Sequence, residues 1–174
     1  MPTYTAAYTC LKLMNYGVMF WLPFYLSAGL ELEGRIIGLL ATLFDLGGVL
    51  GGVAIGHLSD RIGARVLVIA PLVLFSLPLL VAFLLVPATF VYPLFLIVPL
   101  LGVTIITPTN LISSTVASDL SHKMETEEGR KVLSTVTGII DGTGSLGAAM
   151  GMFVIGLLQD DSWTSVFLFL LGTH

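Results

Sequence analysis

Lys12 is the residue of this sequence whose chemistry most needs an explanation. It lies inside an apolar segment, residues 4–28, that is long enough to cross a lipid bilayer. An unpaired ammonium group in a bilayer is costly, so Lys12 should face the interior of a helix bundle or a water-filled cavity. Tyr8 and Asn15 share its helical face. The three side chains form a cationic, hydrogen-bonding stripe suited to an anion such as phosphate. The alternatives are that Lys12 extends to the cytoplasmic lipid headgroups or pairs with a carboxylate from a missing half of the protein.

Two carboxylates, Asp45 and Asp141, lie inside other apolar segments. Each could form an ion pair in a cavity, with Lys12 as a candidate partner, or could take part in proton coupling. The structural alternative is a hydrogen bond to a serine or threonine of a neighbouring helix and, for Asp141, a local bond to Thr137 one turn earlier. Asn110 follows a proline in a polar stretch, where it either faces a substrate or satisfies backbone groups that the proline leaves free.

The composition decides what kind of elements position these side chains. Hydrophobic residues make up 56% of the chain, charged residues 10%, and the mean hydropathy is +1.00. Soluble domains are about 25% charged on average, so the sequence predicts an all-α membrane protein. Six apolar segments are predicted, and the last is too short to cross a bilayer and is interpreted as a truncated helix. They are residues 4–28, 36–55, 66–86, 90–114, 132–158 and 163–174.

The charges between these segments predict an orientation. The second and fourth connections, residues 56–65 and 119–131, hold most of the lysines and arginines, whereas Arg35 is the lone basic residue of the opposite connections. The positive-inside rule therefore places both basic connections in the cytoplasm. Cys10 lies in an apolar run and is expected to pack in the core.

Small residues recur at intervals of about four in two of the segments, which is typical of membrane helices that pack closely. In the second segment they are Gly47 and Gly51, with Gly48, Gly52 and Gly56; in the fifth they are Gly138 and Gly142, with Gly144, Ala148 and Gly151. The sequence has no glycine-rich nucleotide loop, no metal-spaced Cys/His set and no nucleophile elbow. It therefore predicts a protein that is not an enzyme and that needs no cofactor, metal or nucleic acid.

Residues 56–65 form a charged turn with the pattern G-x-L-x-D-R-x-G-x-R, in which Gly56, Asp60, Arg61, Gly63 and Arg65 are the matching positions. This pattern resembles the loop of the major facilitator superfamily between the second and third helices of each six-helix half. The resemblance implies that these residues, called here the latch motif, act as a charge latch on the cytoplasmic side.

Three further stretches, residues 10–26, 110–120 and 135–149, are similar to the seventh, tenth and eleventh helices of the sugar-phosphate exchanger family. The resemblance covers nearly the whole chain and implies the C-terminal half of a relative of the glucose-6-phosphate transporters. Bacterial relatives bind phosphate with an arginine of the seventh helix. Asn15 stands at that arginine's position, and Lys12, one turn earlier, is expected to replace its charge.

The function implied is exchange of a phosphorylated sugar against inorganic phosphate by alternating access, in the endoplasmic reticulum or another endomembrane. The expected partners are the bilayer, the missing N-terminal six-helix half, the phosphorylated substrate and phosphate. The alternatives are a facilitator or proton-coupled transporter of another organic anion, or a short form that does not transport.

Overall fold

The computed structural model describes residues 2–63, 65–87, 90–123, 127–159 and 163–172, and these form six α-helices. The prediction of an all-α chain built as a six-helix half-bundle is confirmed. The helices are α1 (Pro2–Ala28), α2 (Gly34–Ile62), α3 (Arg65–Leu85), α4 (Leu94–Lys123), α5 (Glu127–Leu158) and α6 (Trp163–Gly172).

Helix α2 continues through most of the latch motif. It ends at Ile62 rather than near residue 55, and the chain reverses at Gly63 before α3 begins at Arg65. Gly63 has a φ of 68° and its N–H group donates to the carbonyl oxygen of Ser59 at 3.0 Å, which is the left-handed C-cap that glycine adopts without strain. Hydropathy marks where apolar residues stop, whereas the helix continues in polar residues until the glycine ends it.

The second basic connection shows the same difference. Helix α4 extends to Lys123 and α5 begins at Glu127, so most of residues 119–131 is helical. Only residues 124–126 of this stretch lie outside the described part of the chain.

Four helices contain segments long and apolar enough to span a membrane: Gly34–Ile62, Leu67–Leu85, Leu94–Ser113 and Thr137–Leu158. Helix α1 has 27 residues and is therefore about 40 Å long, which exceeds the roughly 30 Å of a hydrocarbon core.

Helix α4 is the centre of the bundle. It packs most extensively on α2, then on α3, and it also contacts α1 and α5. Its apolar segment is half buried, whereas only 17% of the α3 segment is buried. The core is formed by large side chains from several helices, among them Met14, Phe44, Phe83 and Leu101. Cys10 is exposed, so the prediction that it packs in the core is wrong, because α1 turns its opposite face inward.

Glycines allow α2 and α4 to pack closely. A Cβ atom added to Gly47 would overlap the backbone of Pro99, and one added to Gly51 would lie 2.8 Å from the Thr107 hydroxyl. Gly102 of α4 lies equally close to the backbone of Phe44 on α2. The small-residue stripe that the sequence predicts is thus used at residues 47, 48 and 51, while a Cβ at Gly52 would meet no atom within 4 Å.

This geometry predicts different effects for two similar substitutions in α2. Gly47→Ala should lower the free energy of unfolding by about 1–3 kcal/mol, because backbone atoms of Pro99 cannot move aside as a side chain would. Gly52→Ala should leave stability unchanged or raise it by up to about 1 kcal/mol, since alanine favours the helix. Thermal unfolding of the purified variants in detergent compares them. Equal stabilities would contradict the close contact.

Candidate functional site

An ion pair joins α1 to α5 at Lys12, whose side chain is buried. The Lys12 Nζ atom lies 2.5 Å from Oδ1 of Asp141 and 3.2 Å from the backbone oxygen of the same residue. The lysine side chain is 5% exposed and the aspartate side chain 55%. The sequence left several partners open for Lys12 and Asp141, and in the structure the two residues pair with each other.

Tyr8 completes this group, which we call the Lys12 cluster (Tyr8, Lys12 and Asp141). Its hydroxyl donates to the same Oδ1 atom of Asp141 at 2.8 Å. The Lys12 Nζ atom lies 5.5 Å from the Tyr8 ring centroid and 5.7 Å from that of Tyr16, within cation–π range. Two donors from α1 thus converge on one carboxylate oxygen of α5.

Small residues on α5 make this convergence possible. A Cβ on Gly144 would lie 3.0 Å from the Tyr8 ring and 3.4 Å from Lys12, and one on Gly147 would overlap Thr9. Gly151 is equally close to Leu13. The stripe of small residues at 144, 148 and 151 is therefore a packing surface against α1, and Gly147 extends it.

Asp141 lies at the border between the buried and the exposed faces of α5. With about 3.6 residues per turn, the exposed face divides into two strips. The strip next to Asp141 holds small residues, Gly138, Gly142 and Ala149, and among the described residues a Cβ on either glycine would meet no atom within 4 Å. The other strip holds large apolar side chains that are more than half exposed: Ile139, Leu146, Met150, Phe153 and Leu157.

The remaining predicted polar residues are Asn15, Asn110 and Asp45. Asn15 is half-buried on α1, Asn110 is exposed on α4 and Asp45 is exposed on α2. Among the described residues, no hydrogen bond or ion pair joins any of the three to the Lys12 cluster. The Thr137 hydroxyl has no hydrogen-bond partner in the described part of the chain, so the local bond to Asp141 is not formed. The roles of Asn15, Asn110 and Asp45 stay predictions.

Two threonine hydroxyls of α4 make hydrogen bonds to carbonyl oxygens one turn earlier in the same helix. The Thr104 hydroxyl donates to the Leu100 oxygen at 3.0 Å, and the Thr109 hydroxyl is 3.2 Å from the Ile105 oxygen and 3.5 Å from that of Leu11 on α1. Sequence reasoning missed both Thr109 and Tyr16. The signal for Tyr16 was its position one turn after Lys12 on the same face.

The latch motif forms the end of α2. Asp60 and Arg61 are exposed, Ser59 is fully buried and Gly56 lies beside Leu111 of α4. Ala64 and the side chain of Arg65 lie outside the described residues. The latch role stays a prediction. Within the described ranges, no group of three His, Cys, Asp or Glu side chains is placed to hold a metal ion.

Comparison with known proteins gives a consistent result. The profile of the Major Facilitator Superfamily matches residues 4–173. The chain is 38% identical over 169 residues to sugar phosphate exchanger 3 of Bos taurus, covering 97% of this chain and 34% of that protein. It is 37% identical over 164 residues to "Putative glycerol-3-phosphate transporter 5" of Arabidopsis thaliana, covering 92% of this chain and 33% of the relative.

A glucose-6-phosphate exchanger of Homo sapiens is 38% identical over 160 residues, covering 92% of this chain and 30% of that protein. The chain thus spans about a third of the length of the curated relatives it matches. Together with the four apolar helices, these matches identify a membrane protein.

Because the two side chains of the ion pair differ in exposure, removing one or the other should lower the free energy of unfolding by different amounts. Asp141→Ala leaves a buried ammonium without a counter-charge and should lower the free energy of unfolding by about 3 kcal/mol. Lys12→Met keeps the apolar stem and leaves a carboxylate that water can reach, so it should cost about 1 kcal/mol or less. Unfolding in detergent checks this, with Asp45→Ala as the control for loss of an exposed aspartate. A larger loss for Lys12→Met would refute the explanation.

Proposed function

Because the chain belongs to the Major Facilitator Superfamily, we propose that it forms six helices of a transporter for phosphorylated sugars or related organophosphates. The transporter exchanges them for inorganic phosphate by alternating access and catalyses no covalent chemistry. The names of the three relatives support the substrate class, since each concerns a phosphorylated compound.

The observation that carries the proposal is the buried ammonium group of Lys12. It lies behind a half-exposed position of α5, together with the hydroxyl of Tyr8. An ammonium and a hydroxyl that converge on one oxygen suit a phosphate oxygen as well as a carboxylate oxygen. Asn15, on the same side of α1, and Asn110 of α4 are the further substrate contacts that we propose.

A second six-helix half is the proposed partner of this chain. The small-residue strip of α5 beside Asp141 would line a cavity shared with that half, while the large apolar strip would face lipid. On α2 the exposed Asp45 supports the same partner, because a carboxylate that faced lipid would be costly. Asp45 is then a cavity residue available for pairing or coupling.

The proposed membrane is that of the endoplasmic reticulum or another endomembrane. In the proposed orientation, residues 56–65 and 119–131 lie on its cytoplasmic side. The basic residues concentrated in these two connections support it. The latch motif would then act at the cytoplasmic end of α2, where Asp60 and Arg61 are exposed.

Proton-coupled transport of another organic anion is the second candidate. The Lys12–Asp141 pair favours it, because a carboxylate that is 55% exposed beside a buried lysine is within reach of water and protons.

Exchange in liposomes tests the proposal. A hybrid in which this chain replaces the aligned 169-residue segment of the bovine relative should take up labelled phosphate or glucose-6-phosphate only when the liposomes contain phosphate. Lys12→Met should reduce this uptake at least about tenfold, which corresponds to losing about 1.4 kcal/mol of anion binding. Gly52→Ala and the unmodified bovine protein are the controls. Uptake driven by a pH gradient without internal phosphate would favour the second candidate, and equal uptake by Lys12→Met would refute the role of the lysine.

A further inference from the structure

Resting on the proposed function, we propose that Asp141 is an internal counter-anion. Tyr8 and Lys12 form an anion site, and the Asp141 carboxylate occupies that site while no substrate is bound. The phosphate group of the substrate displaces the carboxylate and takes its two donors. Asp141 thereby determines which anions bind to the site and how tightly they bind.

Two donors converge on one oxygen atom of Asp141. The Lys12 ammonium and the Tyr8 hydroxyl come from α1 and meet at Oδ1 of Asp141, at 2.5 and 2.8 Å. The geometry is that of a site for an oxyanion, and the carboxylate oxygen occupies the place where a phosphate oxygen would lie. A phosphate group carries about two negative charges and three acceptor oxygens, so it is the stronger acceptor for the same donors.

The two charges of the pair differ in how deeply they are buried. Lys12 is almost fully buried, whereas Asp141 is half exposed, so the carboxylate lies on the open side of the ammonium. An anion that approaches along the small-residue strip of α5 meets a negative charge first. With the pair formed, the cluster has no net charge and attracts an anion weakly. Binding therefore requires the carboxylate to move.

The small-residue strip leaves space beside Asp141. Gly138 and Gly142 both lie in this strip, and among the described residues no atom is within 4 Å of where their Cβ atoms would be. The aspartate side chain can turn toward this space by a change of rotamer. Because the space is open, the displaced carboxylate is hydrated and its release costs little, whereas Lys12 always keeps an anionic partner.

Direct binding of inorganic phosphate tests the inference. The complete 174-residue chain in lipid nanodiscs, with phosphate as the ligand, is measured by calorimetry for the original sequence, Asp141→Asn and Lys12→Met/Asp141→Asn. Asparagine keeps an acceptor oxygen for Tyr8 but removes the negative charge. Asp141→Asn should therefore bind phosphate about tenfold more tightly or better, because one like charge has been removed from beside the bound anion. The double variant should lose this gain. Gly52→Ala should bind like the original chain.

A charge exchange, Lys12→Asp/Asp141→Lys, provides an independent variant should Asp141→Asn fold poorly. It keeps an ion pair but places the cation on the open side, so phosphate should bind more tightly than to the original chain. Phosphate binding by Asp141→Asn that is unchanged or weaker would overturn the inference, as would a gain that persists without Lys12.

The exchange assay separates this inference from the proposed function. If the hybrid exchanges sugar phosphate but Asp141→Asn does not increase the affinity for phosphate, the counter-anion role of Asp141 is refuted and the proposed function stands. A Lys12-dependent gain in phosphate affinity, with no exchange of sugar phosphates by the hybrid, would support the anion site and refute the function.

Discussion

The burial of one ammonium group in an apolar helix bundle is the constraint on which the site depends. A lysine inside a membrane is stable only in a few kinds of environment, one of which is contact with an anion. This fold places such an anion beside Lys12. The Asp141 carboxylate provides it from a helix 129 residues further along the chain. Because the pair fixes α1 against α5, it also determines which face of α5 is turned to the bundle and which is left open.

Close packing is what brings the two charges within reach. Two helix pairs, α1 with α5 and α2 with α4, meet through glycines that face side chains or backbone of the opposite helix. Membrane helices gain little from the hydrophobic effect against each other, so the fit of small residues provides much of their association. The glycines of α5 are divided by function: Gly144, Gly147 and Gly151 contact α1, while Gly138 and Gly142 leave open space beside the carboxylate.

The fold class could be predicted because hydropathy and length are properties of single segments. Six apolar segments predicted six helices, and the structure has six in its described residues. The latch motif and the stretch at 135–149 indicated the superfamily that the profile match confirms. Helix ends could not be predicted in the same way. The polar ends of α2, α4 and α5 continue as helix beyond the apolar part, and only a structural stop such as the left-handed Gly63 marks the boundary.

For the site, the sequence by itself determined that Lys12 must be buried or paired, that Tyr8 shares its face and that Asp45 and Asp141 are the carboxylates available. The choice between them was made by the tertiary structure, since helical periodicity defines the face of a helix but not the neighbour that it meets. Packing placed Asp141 over Lys12 and left Asp45 exposed on α2. It also decided that the lysine would be enclosed and its carboxylate half open, a difference that no local pattern in the sequence contains.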